Sequence, residues 1–554
     1  MRQAYIGVDV GTSSTRAGIF DEAGNLLAAA RHPIAVWQEA GDIVEQSSAD
    51  IWQACVTAVR AAMAEATIAP DQVKGIGFDA TCSLVVLDKQ GQPLTVSASG
   101  DHRRNIIVWM DHRAIEEARA INDTHDDVLR YVGGSISPEM EMPKLLWLKR
   151  HLRSSFDAAG HFFDLADYLT FRATDSTARS MCTVTCKWNY LAHEGRWSAA
   201  YFERIGLQDF VEDRYARIGT DIVAPGTPLG TGLSARAAQE LGLVAGTPVG
   251  AALIDAHAGG IGAIGGRDAA GAEVNVGDRL AYIMGTSACI MATTVEPSFV
   301  PGVWGPYYQG MVPGFWLNEG GQSAAGAAID HLLRSHPAHA EATAAARSAG
   351  LDVIEYLERR IMARVPHVGA AAWLARDIHI LPEFLGNRSP YADPDSRAVI
   401  AGLDLDAGIG ALERLFVAGL CGLAYGLADV IDAFVANGVN SRVVVMAGGA
   451  SRSPLVRQIM ADTTGLVVAL PRTQEPVLLG AAMLGAVASG AYRSIGETMA
   501  TMSALGRLSA PTDPEVAALH RRKRDIHGLM RALDRDSRAM MRGFKSPGSR
   551  EASA

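Results

Sequence analysis

Short apolar runs alternate with longer helical patterns along most of the chain. The run 5–10 is strand-like and closes on Gly-Thr-Ser, and a second apolar run, 17–20, follows it. The segments 281–284 and 288–291 repeat this plan around another Gly-Thr-Ser. Each pair of runs predicts a hairpin with Gly-Thr-Ser as its turn. Because about half the chain separates the two hairpins, they predict equivalent turns of two similar domains.

Two further strand patterns support this duplication. The segments 73–80 and 442–450 are apolar runs that end in small residues, and each follows an Ala-rich helical pattern, at 49–66 and 414–436. Strands that alternate with helices are typical of α/β sheets. We therefore expect an α/β fold.

The predicted boundary between the domains is glycine-rich. The segment 248–254 is predicted as a buried strand that delivers Asp255 at its C-terminal end, and the stretch 259–271 follows as the interdomain hinge. The predicted division is an N-terminal domain at 1–265, a C-terminal domain at 266–510, and a helical extension with a tail at 511–554.

Charge and composition exclude some classes of function. The 554 residues include 50 basic and 60 acidic ones, a net charge of −10, so no global basic field exists to hold nucleic acid. The chain begins directly with a strand-like run, and the apolar stretch 477–488 is too short to span a bilayer. We expect a cytoplasmic protein without a membrane or nucleic-acid partner.

The six cysteines are scattered through the chain, which does not favour a disulfide framework. Cys182 and Cys186 are spaced C-x3-C, but no Cys/His pair follows them at zinc spacing. We therefore interpret them as ordinary buried thiols.

The Gly-Thr-Ser turns are candidates for phosphate binding. Such turns present backbone N–H groups and hydroxyls that suit phosphate oxygens. Asp9 stands at the edge of the first turn, where a carboxylate would act through Mg²⁺. A third glycine turn, 448–453, precedes a helix whose N-terminus favours anions. The chain has neither a Walker A sequence nor a G-x-G-x-x-G that opens its first helix.

Eight ordered motifs give the chain a family resemblance. Between about Ile6 and Ala486 it resembles an FGGY-family carbohydrate kinase. The motifs begin at Asp9 (DVGTSSTR), Trp109 (WMDHR), Pro143 (PKLLW), Asp255 (DAHAG), Met284 (MGTS), Gly320 (GGQS), Gly386 (GNRSP) and Gly448 (GGA).

The resemblance implies two actin-like, ribonuclease-H-like domains with the active site in the cleft between them. It implies that Asp255 is the catalytic base facing the sugar hydroxyl and that Asp9 is the Mg²⁺-linked acid. The implied ATP-binding residues are Thr12, Ser13, Ser14, Arg16, Gly285, Thr286, Gly326, Gly449 and Ser453. Many relatives carry Asn at the Ser453 position, so this chain departs from the pattern there.

The segment 81–85 occupies the position of the sugar pocket. Its sequence Thr-Cys-Ser-Leu-Val has neither the Arg-Glu pair of glycerol kinases nor the Gln/Met-His type of xylulokinases, and it resembles the D-ribulokinase branch. The implied sugar-binding residues are Cys82, Trp109, Lys187, Asp255 and Glu319. Three of these residues have alternatives: Cys82 as a small core residue, Lys187 as a surface lysine after a strand, and Trp109 as a core side chain.

The expected activity is transfer of a phosphoryl group from ATP, with Mg²⁺, to D-ribulose, giving D-ribulose 5-phosphate. L-ribulose, ribitol and D-xylulose are alternative substrates with the same chemistry. An actin- or Hsp70-like ATPase module and a non-catalytic sugar sensor are alternatives of another class, and a homodimer is left open.

Overall fold

Each half of the chain is built around one mixed β-sheet. The computed structural model describes residues 3–39, 43–266 and 275–542. The strands of the N-terminal half are β1 (Ala4–Val10), β2 (Ser14–Phe20), β3 (Leu26–Pro33), β4 (Val36–Glu39), β5 (Ile43–Gln46), β6 (Val73–Ala80), β7 (Leu84–Asp88), β8 (Ile106–Ile107), β9 (Ala159–Asp164), β10 (Arg179–Ser180), β11 (Ile222–Val223) and β12 (Leu253–Ile254). Those of the C-terminal half are β13 (Arg279–Met284), β14 (Ala288–Thr294), β15 (Trp304–Tyr308), β16 (Trp316–Gln322), β17 (His379–Leu381), β18 (Val399–Ala401), β19 (Val443–Ala447), β20 (Val467–Pro471) and β21 (Leu505–Ser509).

Helices surround these sheets. They are α1 (Ser48–Ala66), α2 (Ile115–Asn122), α3 (Glu141–His151), α4 (Arg153–Ala158), α5 (Leu165–Thr174), α6 (Met181–Lys187), α7 (Ala199–Arg204), α8 (Asp209–Glu212), α9 (Ala235–Leu241), α10 (Asp255–Ile264), α11 (Gly326–Ser335), α12 (His339–Ser348), α13 (Val353–Met362), α14 (Ile409–Ala436), α15 (Pro454–Thr464), α16 (Pro476–Ala488), α17 (Ile495–Met502) and α18 (Pro514–Met541).

The two central sheets share one plan, as the repeated hairpins predict. The first has the strand order β12-β6-β1-β2-β3, with β2 antiparallel and β6 parallel to β1. The second has the order β15-β16-β14-β13-β19-β20-β21, with β14 antiparallel and β19 parallel to β13. Both predicted Gly-Thr-Ser hairpins are confirmed, and each turn lies at the edge of its sheet where β1 or β13 ends.

Helices α10 and α16 join the halves. Helix α16 comes late in the chain, yet it packs on β1 and β6 of the first sheet, and α10 packs on β13 of the second. The two helices approach so closely that a Cβ at Gly480 would lie 1.9 Å from the Ala258 carbonyl oxygen, and a Cβ at Gly262 would lie 2.0 Å from the Pro476 carbonyl oxygen. Glycine is required at both positions because backbone occupies the space of a side chain.

This packing corrects the predicted hinge. Residues 259–264 continue helix α10 and are buried, while 267–271 lie outside the described residues. The small residues there serve close helix packing rather than a flexible link. The boundary between 265 and 266 stays a prediction.

The predicted strand at 248–254 is shorter than expected. Only Leu253–Ile254 form a strand beside β6, and Val249 makes an isolated bridge to Ile76. Between them, a Cβ at Gly250 would lie 2.4 Å from the Leu484 carbonyl oxygen of helix α16, so this segment follows the helix surface. It still delivers Asp255 directly after the strand.

Helix α14 is the one helix among residues 3–39, 43–266 and 275–542 that is long and apolar enough to cross a membrane. In the structure, 78% of its most apolar window is buried inside the protein. Its contacts with α11, α15 and β17 make it a core helix of the C-terminal half.

Candidate functional site

A cleft of about 640 Å³ lies between the two halves and is lined by residues of both. Most of the predicted site residues lie in its wall: Asp9, Thr12, Ser13, Ser14, Arg16, Cys82, Trp109, Lys187, Asp255, Gly285, Thr286 and Glu319. The structure therefore brings the predicted metal, phosphate and sugar residues into one cavity.

Three neighbouring parallel strands each place a carboxylate at the same edge of the first sheet. In the register of β1 and β6, Asp9 lies opposite Asp79, and Asp255 directly follows β12, which pairs with β6. Asp79 lies behind the cleft wall and is fully buried, and its oxygens have no hydrogen-bond partner among the described residues. Burial, and then the negative charge of Asp9, raise the pKa of Asp79 well above its usual value.

Asp79 carries no sequence signal of its own, because its place beside Asp9 depends on strand register. Asp9, predicted at the edge of a turn, belongs to the fully buried strand β1. Asp9 Oδ2 accepts a hydrogen bond of 2.8 Å from Arg16 Nε, and Arg16 Nη1 also donates to Glu475 Oε2 of the other half at 2.7 Å.

The carboxylates suit a divalent cation. Asp9 lines the cleft beside the first Gly-Thr-Ser turn, and Asp79, whose oxygens have no hydrogen-bond partner among the described residues, lies next to it. Hard cations such as Mg²⁺ prefer carboxylate oxygens and keep several water ligands. The donor set therefore fits Mg²⁺ at Asp9, with Asp79 behind it.

Asp255 is the first residue of helix α10. Its Oδ1 accepts a hydrogen bond of 2.7 Å from the Ala256 backbone N–H, which fixes the carboxylate at the cleft wall. Burial, and then the charge of Asp9, raise the pKa of Asp255 to about 6. A carboxylate with this pKa is ionised at neutral pH and is a better proton acceptor than an ordinary aspartate.

The two Gly-Thr-Ser turns form another part of the wall. Gly11 N–H donates to Ser14 O at 3.0 Å, and Gly285 N–H donates to Ser287 O at 2.8 Å. Trp109 Nε1 donates to Thr12 Oγ1 at 3.0 Å. Trp109 is half-buried and lines the cleft, and this hydrogen bond holds its ring against the first turn.

The predicted sugar end contains a buried ion pair. Lys187 ends helix α6, and its Nζ lies 3.6 Å from Glu319 Oε2 and 4.4 Å from the centre of the Trp304 ring. Its side chain is only 4% exposed, so the alternative of a surface lysine is wrong. Cys82 lines the same cleft, where burial raises the pKa of its thiol.

The structure adds Glu139, Arg388 and Trp304 to the wall. Arg388 Nη2 of the C-terminal half donates to Glu139 Oε1 of the N-terminal half at 3.3 Å, and the Arg388 guanidinium lies 5.4 Å from the centre of the Trp304 ring. The motif Gly-Asn-Arg-Ser-Pro, which contains Arg388, was the sequence feature that could have identified this residue. Glu139 and Trp304 carry no motif of their own.

The predicted residues that lie outside the cleft wall, within the described part of the chain, are Gly326, Gly449 and Ser453. Gly326 N–H donates to the Gly285 carbonyl at 3.0 Å, so this glycine supports the second Gly-Thr-Ser turn. Ser453 caps helix α15 by accepting from Val456 N–H at 3.0 Å, and it also donates to Glu358. The nucleotide-binding roles of these residues stay predictions.

Comparisons with known proteins agree with this architecture. Residues 4–262 match the model of the FGGY family of carbohydrate kinases, N-terminal domain, and residues 280–489 match that of its C-terminal domain. The FGGY carbohydrate kinase domain-containing protein of Homo sapiens is 47% identical over 515 residues, which cover 92% of each chain.

Two further proteins are informative. A D-ribulokinase of Saccharomyces cerevisiae is 36% identical over 571 aligned residues, which cover 98% of this chain and 78% of that one. The structure of a ligand-bound xylulose kinase from Lactobacillus acidophilus superposes with a TM-score of 0.78 at 19% identity and covers 97% of this chain and 100% of that one. The structural likeness confirms the predicted two-domain, actin-like α/β fold.

Proposed function

Because the chain belongs to the FGGY family of carbohydrate kinases and is an ATP-dependent sugar phosphotransferase, we propose that its substrate is D-ribulose and its product D-ribulose 5-phosphate. Asp255 acts as the general base. The observation that carries the proposal is the convergence of both phosphate turns, Asp255 and the Lys187–Glu319 pair on one cleft.

The sugar end supports a polyhydroxylated substrate. Lys187 donates hydrogen bonds and Glu319 accepts them, and both side chains are buried, so a hydroxyl-bearing ligand would pair with groups that have little access to water. Cys82 adds a small side chain to the cleft wall, in a segment that resembles neither the glycerol kinase nor the xylulokinase pattern. The resemblance to a D-ribulokinase over nearly the whole chain points to the same substrate.

The proposed reaction is positioned transfer of the γ-phosphoryl group. The backbone of the two turns, with Thr12, Thr286 and Arg16, holds the ATP phosphates. When bound at Asp9, Mg²⁺ supplies positive charge that offsets the charge of the phosphates. Asp255 orients the sugar hydroxyl in line with the phosphorus atom and accepts its proton late, as a loose transition state requires.

The alternative function, an ATPase module without a sugar substrate, accounts for fewer of the residues that line the cleft. Such a module needs the phosphate turns and the metal site, but it has no use for a buried Lys187–Glu319 pair against the Trp304 ring. We further propose that the enzyme works in the cytoplasm, with a small sugar and ATP as its partners.

A coupled assay of ADP release over D-ribulose, L-ribulose, D-xylulose, L-xylulose, ribitol and glycerol tests the proposal. We expect the highest kcat/KM for D-ribulose, because a site built to pair particular hydroxyls rejects epimers that leave its polar groups unpaired. The substrate assignment is wrong if D-xylulose or glycerol is preferred tenfold. ADP release that needs no added sugar would support the ATPase alternative.

A further inference from the structure

A chain of polar contacts runs from the sugar end of the cleft into the protein interior. Lys187 Nζ lies 3.6 Å from Glu319 Oε2, and the same oxygen lies 3.3 Å from His257 Nε2. On the other side of the ring, His257 Nδ1 lies 3.1 Å from Cys182 Sγ. Cys182 and His257 are fully buried behind the cleft wall.

The partners of His257 determine its protonation. The Glu319 carboxylate can only accept a hydrogen bond, because Lys187 and His257 outweigh the effect of burial and lower its pKa to about 2. Nε2 must therefore carry a proton and donate. Nδ1 lies 3.1 Å from the carbonyl oxygen of Gly310, which also only accepts, so this contact favours a proton on Nδ1 as well. Protons on both nitrogens would make His257 an imidazolium.

The surroundings of Cys182 make its sulfur an acceptor. Sγ lies 3.1 Å from His257 Nδ1, and it accepts a hydrogen bond from the Ile254 backbone N–H at 3.5 Å. Burial alone would raise the pKa of this thiol, but hydrogen bonds from Cys186 and His257 and the charge of His257 lower it to about 5. Burial would likewise lower the pKa of His257, whereas Cys182 and Glu319 raise it to about 10. These pKa shifts favour alternating charges along the chain of contacts: thiolate, imidazolium, carboxylate and ammonium.

A metal ion explains the cluster less well. The donor atoms of Cys182, Cys186 and His257 lie within 4.8 Å of one another, as ligands of one ion would. With zinc bond lengths of about 2.3 Å to sulfur and about 2.0–2.1 Å to nitrogen, two tetrahedral ligands keep roughly 3.5 Å between them. The observed 3.1 Å between Sγ and Nδ1 is shorter and is typical of a direct contact.

Cys182 also touches the segment that carries the catalytic base. Cys182 Sγ accepts from the N–H of Ile254, the residue directly before Asp255. His257 follows Asp255 by two residues on helix α10. Helix α6 therefore holds both the start of α10 and, through His257, the position of Glu319.

We propose that Cys182 is a positioning residue of the sugar site: through His257 it holds Glu319, and with it Lys187, in the orientation that binds the sugar. Cys182 itself touches no substrate. The inference rests on the proposed function, since it requires Glu319 and Lys187 to bind the sugar.

The first test is Cys182→Ser, with Cys421→Ser as the matched control. Cys421 is a buried thiol of helix α14 in the other half, so its loss measures the general effect of replacing a buried cysteine. A serine hydroxyl stays neutral and reaches less far than a thiolate, so His257 keeps Glu319 at Nε2 but loses the negative charge on its Nδ1 side. We expect the KM for the best sugar of the panel to rise at least tenfold in Cys182→Ser, with the KM for ATP and kcat changed less than threefold. Cys421→Ser should leave all three constants unchanged.

The second test needs no variant. A thiolate absorbs near 240 nm, so the folded wild-type protein should show absorbance of about one thiolate that appears between pH 4 and pH 6 and is lost on unfolding at pH 6. Cys182→Ser, if folded, should lack it.

Three results would overturn the inference. The first is a KM for sugar that is the same in Cys182→Ser and Cys421→Ser. The second is the absence of the low-pH thiolate absorbance in the wild type. The third is stoichiometric zinc in the purified protein. If wild-type enzyme shows no turnover with any sugar, the proposed function fails, whereas the thiolate measurement still decides whether the ion pair exists.

Discussion

At the scale of single residues, negative charge is concentrated where three strands of the first sheet end. Burial raises the pKa values of Asp79 and Asp255, and the negative charge of Asp9 raises them further. Arg16 offsets part of this charge through its contact with Asp9. A bound divalent cation would offset more of this charge.

We expect Asp9→Asn to lower kcat at least about 100-fold at saturating ATP and sugar, since electrostatic groups of this kind contribute that much. Asparagine keeps the size and one acceptor for Arg16, so it tests the charge better than alanine would inside a buried strand. Steady-state kinetics across a Mg²⁺ titration should also show a higher Mg²⁺ requirement.

The control for this variant is Asp71→Asn, an exposed carboxylate just before β6. It should leave kcat and the Mg²⁺ requirement unchanged. If Asp9→Asn retained more than a tenth of wild-type kcat, the metal role of Asp9 should be abandoned.

Residues with a motif were predictable, and residues placed by tertiary structure were not. Asp9 and Asp255 stand in recognisable motifs after apolar runs, and the structure brings both to the cleft. Asp79 lies beside Asp9 because of the register of β1 with β6. Glu139 is held in the wall by an ion pair with Arg388, which is 249 residues away in the sequence. Nothing local in the sequence encodes such partners.

At the scale of elements, helices α10 and α16 connect the halves through glycine contacts. The glycine-rich segment after Asp255 predicted a hinge because glycine permits unusual backbone conformations. The structure uses glycine for the opposite purpose, since Gly262 and Gly480 let two backbones touch. Composition alone does not distinguish these two uses.

We expect Gly480→Ala to destabilise the protein and reduce activity. The added Cβ would lie 1.9 Å from the Ala258 carbonyl oxygen, so helix α10 and with it Asp255 must move. Overpacking of this kind costs about 1–3 kcal/mol, which corresponds to a fall of several degrees in the unfolding midpoint measured by calorimetry.

Gly528→Ala provides the matched control for this prediction. It is a glycine within helix α18, and its Cβ would meet no heavy atom within 4 Å in the described residues. There alanine should raise stability by about 0.5–1 kcal/mol, because it favours helix more than glycine does. Equal midpoints for the two variants would refute the close-packing account.

At the scale of the whole molecule, each half supplies one part of the cleft, and ion pairs cross between them. Arg16 contacts Glu475, and Glu139 contacts Arg388. The duplicated fold was predictable because each sheet repeats a local hairpin pattern. The sugar end was less predictable, since Cys82, Lys187 and Glu319 come from distant segments that only the tertiary structure brings together.

Turnover and ATP binding by Asp255→Asn test the central claim most directly. Asparagine can still accept the hydrogen bond from the Ala256 N–H, so the start of helix α10 is preserved while the base is lost. We predict ATP affinity within about threefold of wild type and a fall in sugar-dependent kcat of about 10²–10⁴-fold, the range typical of a general base. Near-normal turnover in this variant would contradict the account, because Asp255 would then only begin the helix and the catalytic base would lie elsewhere.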